Sequence, residues 1–369
     1  MQVNRVVRLI AGVVGIVLIA GAFVLSFVIT PDFVARLPSD TNAHRSYTGT
    51  FATLLDARAV ATGNLVAAIK QNVPMTVDRT VTVKSTSGNT ALVEDSRTTA
   101  AAGVTVEKTS WSYALDRKTL EPVSSYPKGW SVVNAQGLTV SWPVGAKKTT
   151  YTGWVPETTT TAQVAYVRTE TRSGLSTYVY QAAIPATRIA DSQVLAGLPR
   201  AIPEPTLALA VQFSSAAPAQ KAQLLALLPK LGNPVPLAYS LAGADTFWVE
   251  PQTGVVIDVK RSQQRMAGVV SPVGGAFIPI LPVSDVTYQQ TPAAVSSAVH
   301  DANKGRDAIS LFGTILPIVI GLVGAVLVVG AVLLGRRRAG RSGPGSPGSP
   351  GSPGAAGPAG APENPGAPV

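Results

Sequence analysis

Aromatic and basic side chains are concentrated in one stretch of the chain, between residues 130 and 154. Aromatic rings stack on the faces of sugars, and lysines form charge-assisted hydrogen bonds with anionic head groups. The stretch therefore predicts contact with a lipid or glycolipid, although core aromatic residues beside a lysine-bearing hairpin would give the same pattern. The candidate ligand contacts are Trp130, Trp142, Lys147, Lys148, Tyr151 and Trp154.

Other residues that could do chemistry are few. The chain has no cysteine, which excludes disulfides, thiol catalysis and thiolate metal sites. His44 and His300 could bind a metal only if the fold brought them together, and single surface histidines are commoner. No phosphate loop, nucleophile elbow, zinc spacing or paired-acid motif is visible, although scattered acids leave a glycosidase-like pair open. We expect no catalytic residue, metal or cofactor, and therefore no enzyme.

Two uncharged apolar runs, residues 9–29 and 311–334, must position the rest of the chain. Each is long enough to cross a hydrocarbon core of ~30 Å as a helix. Arginines precede the first run and follow the second, and such basic flanks tend to stay in the cytoplasm. Both termini are thus predicted to be cytoplasmic, with the middle of the chain outside. A signal peptide cleaved near residues 20–22 is the alternative for the first run.

These runs set the predicted boundaries. The predicted segments are a cytoplasmic N-terminus (1–8), a transmembrane helix (9–29), an external domain (30–308) ending in a helical stalk (292–308), a second transmembrane helix (309–334) and a cytoplasmic basic flank with a disordered Gly/Pro/Ser tail (335–369). Small residues would let the two helices pack together, as in Ala11-x-x-x-Gly15 and Gly321-x-x-x-Ala325, but such residues are common in any membrane helix. The flanking arginines supply about half of the net charge of +10. Because the segment between them has no Lys/Arg-rich run, we expect no nucleic-acid partner.

The external segment reads mainly as strands. Apolar residues alternate with polar ones from Met75 to Lys84, which predicts a half-buried strand. Arg79 falls on its apolar face, where we expect a strand edge or an ion pair. Further strands are predicted at Ala91–Thr99, Val104–Leu115, Leu138–Trp142, Gln163–Thr171, Leu175–Ile184, Phe247–Glu250 and Val255–Val259, and helices at Pro218–Leu231 and Pro292–Ala308. The predicted fold class is α+β: a β-rich extracytoplasmic domain of antiparallel strands with a few helices, held between N- and C-terminal transmembrane helices.

Two turns carry the same pattern of an acid followed three residues later by a threonine, at Asp116 with Thr119 and at Glu250 with Thr253. A carboxylate in this position can accept backbone N–H bonds across the turn. We interpret both as structural hairpins, with a ligand site as the alternative.

The segment WPVGAKKTTYTGW, at residues 142–154, resembles the actinobacterial two-pass membrane family of PorA-like porins. The preceding ALDRKT, the strand at 174–180 and the stalk from Thr291 to Pro317 are similar too, so that the resemblance spans nearly the whole chain except the tail. It implies a cell-envelope protein of mycolate-bearing actinobacteria associated with lipoglycan assembly or maturation, and it supplies no catalytic residues. One departure is Val155, where an acidic residue is expected after the aromatic.

These observations predict a non-enzymatic membrane protein of the cell envelope. Its external domain would bind a lipid, a glycolipid or a partner enzyme, such as one of lipoglycan synthesis, without chemistry of its own. Membrane lipids and a second copy of the chain are further expected partners. The alternative is a channel formed by oligomers, and an enzyme comes third. Neither apolar run contains an ionisable residue of the kind that lines a water path, which disfavours a pore built from these helices alone.

Overall fold

The computed structural model of the chain describes residues 3–56, 59–60, 68–214 and 216–339. The described chain forms two compact units, residues 3–21 with 319–339 and residues 22–318. The strands are β1 (Asn42–Leu55), β2 (Ile69–Ser87), β3 (Thr90–Ala101), β4 (Val104–Asp116), β5 (Tyr151–Val155), β6 (Thr160–Arg172), β7 (Leu175–Arg188), β8 (Ala201–Ile202), β9 (Val235–Pro236), β10 (Ala238–Val249), β11 (Val256–Val270) and β12 (Phe277–Gln290). The helices are α1 (Val3–Val24), α2 (Ser192–Ala196), α3 (Glu204–Phe213), α4 (Pro218–Leu227), α5 (Pro292–Ser310) and α6 (Leu316–Ala339), with π-helical turns at Leu25–Val34 and Leu311–Ile315.

Ten of the strands form one curled antiparallel sheet in the order β4-β3-β2-β1-β12-β11-β10-β7-β6-β5. Hairpins build most of this order, and β1 and β12, from opposite ends of the domain, pair at its centre. The turn between β6 and β7 falls at Ser173 and Gly174, both at positive φ, between the predicted strands Gln163–Thr171 and Leu175–Ile184. The architecture confirms a β-rich domain of antiparallel strands with few helices.

The segment between β4 and β5 lies against both edges of the curled sheet. Near its start, Val123 N donates to Ala114 O on β4, and near its end Leu138 N donates to Thr152 O on β5. The predicted strand Leu138–Trp142 is wrong: Leu138 makes a single bridge to β5, whereas Trp142 N donates to Gly254 O in another turn. Its backbone groups bond to different partners in succession, so that no ladder forms. We call residues 138–146 the covering segment.

Helix α5 packs on the outer face of the sheet. Ala298 and Ala302 are fully buried there against Leu175 and Ile257. Thr291 caps the helix by accepting a hydrogen bond from Ala294 N, which confirms its predicted start at Pro292. The other predicted helix also exists, as α4 followed by a 3₁₀ turn at Leu228–Leu231.

In the first unit, α1 and α6 pack against each other through glycines. A Cβ on Gly15 would lie 2.6 Å from Gly324 O, and one on Gly324 would lie 2.6 Å from Gly15 O. Backbones can approach this closely only where neither residue carries a side chain. The predicted packing of the two apolar helices is confirmed.

Two helices in the described chain are long and apolar enough to cross a membrane, Val6–Pro31 and Pro292–Leu334. They contain the predicted spans 9–29 and 309–334. The predicted disordered tail, from residue 340 onward, lies outside the described residues.

Candidate functional site

Lysines and tyrosines form a partly exposed patch beside β5, β6 and β7. The ammonium of Lys148 lies 5.8 Å and 5.2 Å from the ring centroids of Tyr166 and Tyr178. Lys147 is exposed, and its backbone N–H donates to the hydroxyl of Tyr151 at 2.7 Å. A lysine ammonium over tyrosine rings makes a cation–π contact that holds its position while leaving donors free for an anion. We call these five residues the Lys–Tyr patch.

Trp142 lies behind this patch and is buried. Its ring centroid is 5.1 Å from those of Tyr180 and Phe247 and 6.4 Å from that of Tyr151. The hydroxyl of Tyr180 donates to Lys147 O at 2.6 Å, which ties the lysine-bearing turn to the same aromatic core. Trp142 is therefore a core aromatic residue that supports the patch from within.

The other two predicted tryptophans lie elsewhere. Trp130 stacks on Tyr126 with ring centroids 6.4 Å apart. Trp154 is half-buried and packs against the largest apolar cluster of the sheet. The structure thus brings Trp142, Lys147 and Tyr151 into direct contact, adds Lys148 through Tyr166 and Tyr178, and leaves Trp130 and Trp154 outside the patch.

An ionic cluster occupies the inner face of the curled sheet. Arg79 donates to Asp95 through Nε at 2.8 Å and Nη2 at 3.0 Å, and Arg97 Nη2 donates to the same carboxylate at 2.9 Å. Arg97 also reaches Glu157, in the turn between β5 and β6, at 3.5 Å. Arg79 and Arg97 are direct cross-strand neighbours, so the carboxylate between them offsets a like-charge contact. The prediction that Arg79 is paired is confirmed.

Two further ion pairs continue the cluster across the sheet. Arg261 on β11 lies 3.6 Å from Asp245 on β10, and Arg265 on β11 pairs with Glu107 on β4. Along β11 these arginines stand between buried Val259 and Ala267. The charges therefore form a belt between apolar layers of the interior. We call this set of ion pairs, from Arg79–Asp95 to Arg265–Glu107, the ionic belt.

The two central acids respond to burial in opposite ways. Burial raises the pKa of Asp95, but the charges and hydrogen bonds of Arg79 and Arg97 outweigh it and hold that pKa well below its usual range. Burial also raises the pKa of Asp245, and Arg261 opposes it only in part, so that this pKa stays above its usual value. Asp95 is thus a firmly ionised structural acid, and Asp245 binds a proton more readily than an exposed aspartate.

A cavity of about 80 Å³ lies between this belt and the covering segment. Five polar atoms on its lining residues are buried without a hydrogen-bond partner. They are Arg97 Nε, Thr139 Oγ1, Trp142 Nε1, Trp154 Nε1 and Asp245 Oδ1. Buried polar groups in proteins are nearly always paired, so five such atoms on the residues around one space are unusual.

Sequence reasoning missed the ionic belt and this cavity. The signal was available on β11, where Val259, Arg261, Gln263 and Arg265 keep one phase of the two-residue alternation. Charged residues that share the alternation phase of buried apolar residues lie on the same buried face of the sheet, as Arg79 does on β2. The partners of these arginines come from distant strands, so their pairing could not be predicted from local sequence.

The remaining candidates have structural roles. The carboxylate of Asp116 accepts from Lys118 N and Thr119 N, and that of Glu250 accepts from Thr253 N and Oγ1, which confirms the interpretation of both turns as hairpins. His44 lies 3.4 Å from Asp78 at the exposed surface. Among the described residues, no group of three His, Asp or Glu side chains could hold a metal ion.

A family model described as Porin PorA matches residues 8–333, a range that includes most of both apolar helices, the Lys–Tyr patch and the ionic belt. No curated protein matches the chain.

Proposed function

Because the chain belongs to the Porin PorA family, we propose that it is a non-enzymatic membrane protein of the actinobacterial cell envelope whose external domain binds a lipid, a glycolipid or a partner enzyme. The two helices that could span a membrane, together with the family, indicate a membrane protein. The arginines outside both apolar runs favour cytoplasmic termini and an external sheet. Assembly or maturation of lipoglycan or other envelope lipids is the process in which we place it.

The Lys–Tyr patch carries this proposal. Lys147 and Lys148 are exposed, and the rings of Tyr151, Tyr166 and Tyr178 are only partly buried beside them. Ammonium groups donate to phosphate or carboxylate, and tyrosine rings with polar tips suit the boundary between a head group and an apolar chain. The patch therefore suits an anionic or glycosylated head group.

Vesicle binding by the purified full chain tests the patch. The double variant Lys147→Gln with Lys148→Gln should bind vesicles of envelope lipid extract about tenfold more weakly or worse, since each basic residue near an anionic surface contributes about 1 kcal/mol. The matched control replaces the exposed Lys128 and Lys230 by Gln, which removes the same charge elsewhere. Equal affinities for the two double variants would contradict the patch as the binding surface.

The proposed role in the assembly of envelope lipids has a separate test. Deletion of the gene should change the profile of extracted lipoglycans and mycolate lipids, and the wild-type gene should restore it. An unchanged profile would count against a role in their assembly.

A channel formed by oligomers is the second candidate, and the family description as a porin favours it. In the described part of residues 22–318, apolar clusters and ion pairs pack the interior of the sheet, where the cavity of about 80 Å³ lies. A water path through the sheet of one chain is therefore disfavoured, and a channel would have to form between chains. Steady conductance after reconstitution into planar bilayers would favour the channel; we expect none.

A further inference from the structure

We propose that the cavity between the ionic belt and the covering segment is a second binding site, which takes one small anionic group of the phosphate or carboxylate class. The proposal goes beyond binding at the Lys–Tyr patch, because the cavity can bind an anion whether or not the patch binds lipid. Its evidence is the set of unpartnered atoms, the charges around them and the size of the space.

Most of the unpartnered atoms are hydrogen-bond donors. Trp142 Nε1, Trp154 Nε1 and Arg97 Nε can only donate, and Thr139 Oγ1 can do so too. Trp142 is buried, so its N–H has no other access to water. Several donors around one space match the oxygens of an anion, which accepts several hydrogen bonds at once.

The charges around the cavity favour an anion once Asp245 is protonated. Arg79, Arg97 and Arg261 are balanced by Asp95, Glu157 and Asp245, so that a neutral Asp245 leaves one positive charge in excess. Asp245, on β10, is faced by Arg261 from β11, by Arg97 from β3 and by Glu157 from the turn after β5. Its raised pKa means that a proton can neutralise it more easily than an exposed acid, and its unpartnered Oδ1 then becomes a further donor.

The size of the space is compatible with this class of ligand. A volume of about 80 Å³ is several times the space that one water needs. One phosphate or carboxylate group fits such a volume. The anion can come from solution or from the head group of a lipid, and the experiment separates these sources.

Calorimetric titration of the purified full chain in a zwitterionic detergent, at fixed ionic strength, tests the site with inorganic sulfate and inorganic phosphate as probes. The variants Trp142→Phe and Trp154→Phe keep an aromatic ring and lose one N–H donor each. Both should weaken binding about tenfold, because a hydrogen bond to a charged group is lost. Trp130→Phe is the control and should bind as the wild type does, since Trp130 does not line the cavity.

The pH dependence gives a second readout, with sulfate because it does not titrate in this range. Sulfate should bind the wild type more tightly as the pH falls from 8 to 5, since protonation of Asp245 removes a negative charge from the cavity. Asp245→Asn should bind tightly throughout and lose most of this dependence. Short-chain phosphatidic acid that competes with sulfate would identify a lipid head group as the source, and competition by inorganic phosphate alone would identify a free anion.

Several outcomes would overturn the site. One is the absence of sulfate and phosphate binding in the wild type, which would leave water as the occupant. Another is equal affinity in Trp142→Phe, Trp154→Phe and Trp130→Phe, provided that circular dichroism shows all three to be folded. Retained sulfate binding in the Lys147→Gln, Lys148→Gln variant is expected, and it separates this site from the Lys–Tyr patch.

Discussion

Asp95 and Asp245 lie on the same inner face of one sheet, but they differ in the number of partners around their carboxylates. Asp95 receives hydrogen bonds from two arginines, whereas Asp245 has one arginine at 3.6 Å and one oxygen without a partner. A buried charge is stabilised only where partners replace the lost water. Asp95 is therefore held by two arginines within the ionic belt, whereas Asp245 keeps one oxygen without a hydrogen-bond partner.

We predict that Asp95→Asn destabilises the β-rich domain by about 3–5 kcal/mol, because it removes the carboxylate that compensates the buried neighbours Arg79 and Arg97. Asp245→Asn should lower the free energy of unfolding by clearly less, since a neutral side chain suits a site where the pKa of the aspartate is raised. Chemical denaturation of both variants measures the difference. Equal losses would contradict the assignment of the two roles.

The lowered pKa of Asp95 also predicts how the stability of the fold depends on pH. Because the folded-state pKa of Asp95 is lowered, its contribution to stability is present above the ordinary carboxyl range near pH 4 and is lost only as the pH falls toward that lowered pKa. The gap in midpoint between the wild type and Asp95→Asn should therefore persist from pH 7 to about pH 4.5. A gap that closes within this range would show that Asp95 is not held by its arginines.

At the scale of elements, alternation predicted the strands β2, β3, β4, β6 and β7, whose partners are close in sequence. It missed β1 and β12, which pair across more than two hundred residues. Pro279 and Pro282 make β12 an unusual central strand, since proline cannot donate to a ladder. The structure places both prolines beside register shifts in the pairing of β11 with β12, where a bulge accommodates them. Such a pairing depends on tertiary contacts that local sequence does not contain.

The covering segment depends on a glycine in the turn between β10 and β11. A Cβ on Gly254 would overlap the carbonyl oxygens of Trp142 and Pro143, and the residue has φ +75°. Gly174 has a similar φ of +82° but open space around it. We predict that Gly174→Ala costs about 1–2 kcal/mol from backbone strain alone. Gly254→Ala should cost more and change the fluorescence of Trp142, as measured by denaturation with a fluorescence readout; equal costs would contradict the close contact.

The packing of α1 with α6 makes its own prediction. Cysteines replacing Gly12 and Ala331 would have Cβ atoms 3.7 Å apart, within the range for a disulfide, in a chain that otherwise has no cysteine. Oxidation should crosslink them in the wild-type background. Gly324→Val should sharply reduce the yield, because a side chain there meets the backbone of Gly15, whereas Gly330→Val has open space and should not. An equal crosslinking yield in Gly324→Val and Gly330→Val would contradict the close packing of α1 with α6.

At the scale of the whole molecule, the chain combines two apolar helices with a curled sheet whose described interior is filled. A filled interior suits a domain that binds at its surface and in a small polar cavity better than one that conducts. The sequence indicated the helices and the β-rich class correctly, because hydropathy and alternation are local signals. The ionic belt and its cavity arise where distant strands meet, so only the structure could show them.

Membrane topology tests the account most directly, because every proposed contact requires the sheet to lie outside. The chain has no cysteine, so single substitutions give unambiguous labelling sites. A membrane-impermeant maleimide added to intact cells should label Ser87→Cys, at the exposed C-terminal end of β2, and should label Ser342→Cys only after the membrane is opened. If Ser87→Cys stays unlabelled until the cells are opened, the sheet is cytoplasmic and the proposed function is wrong.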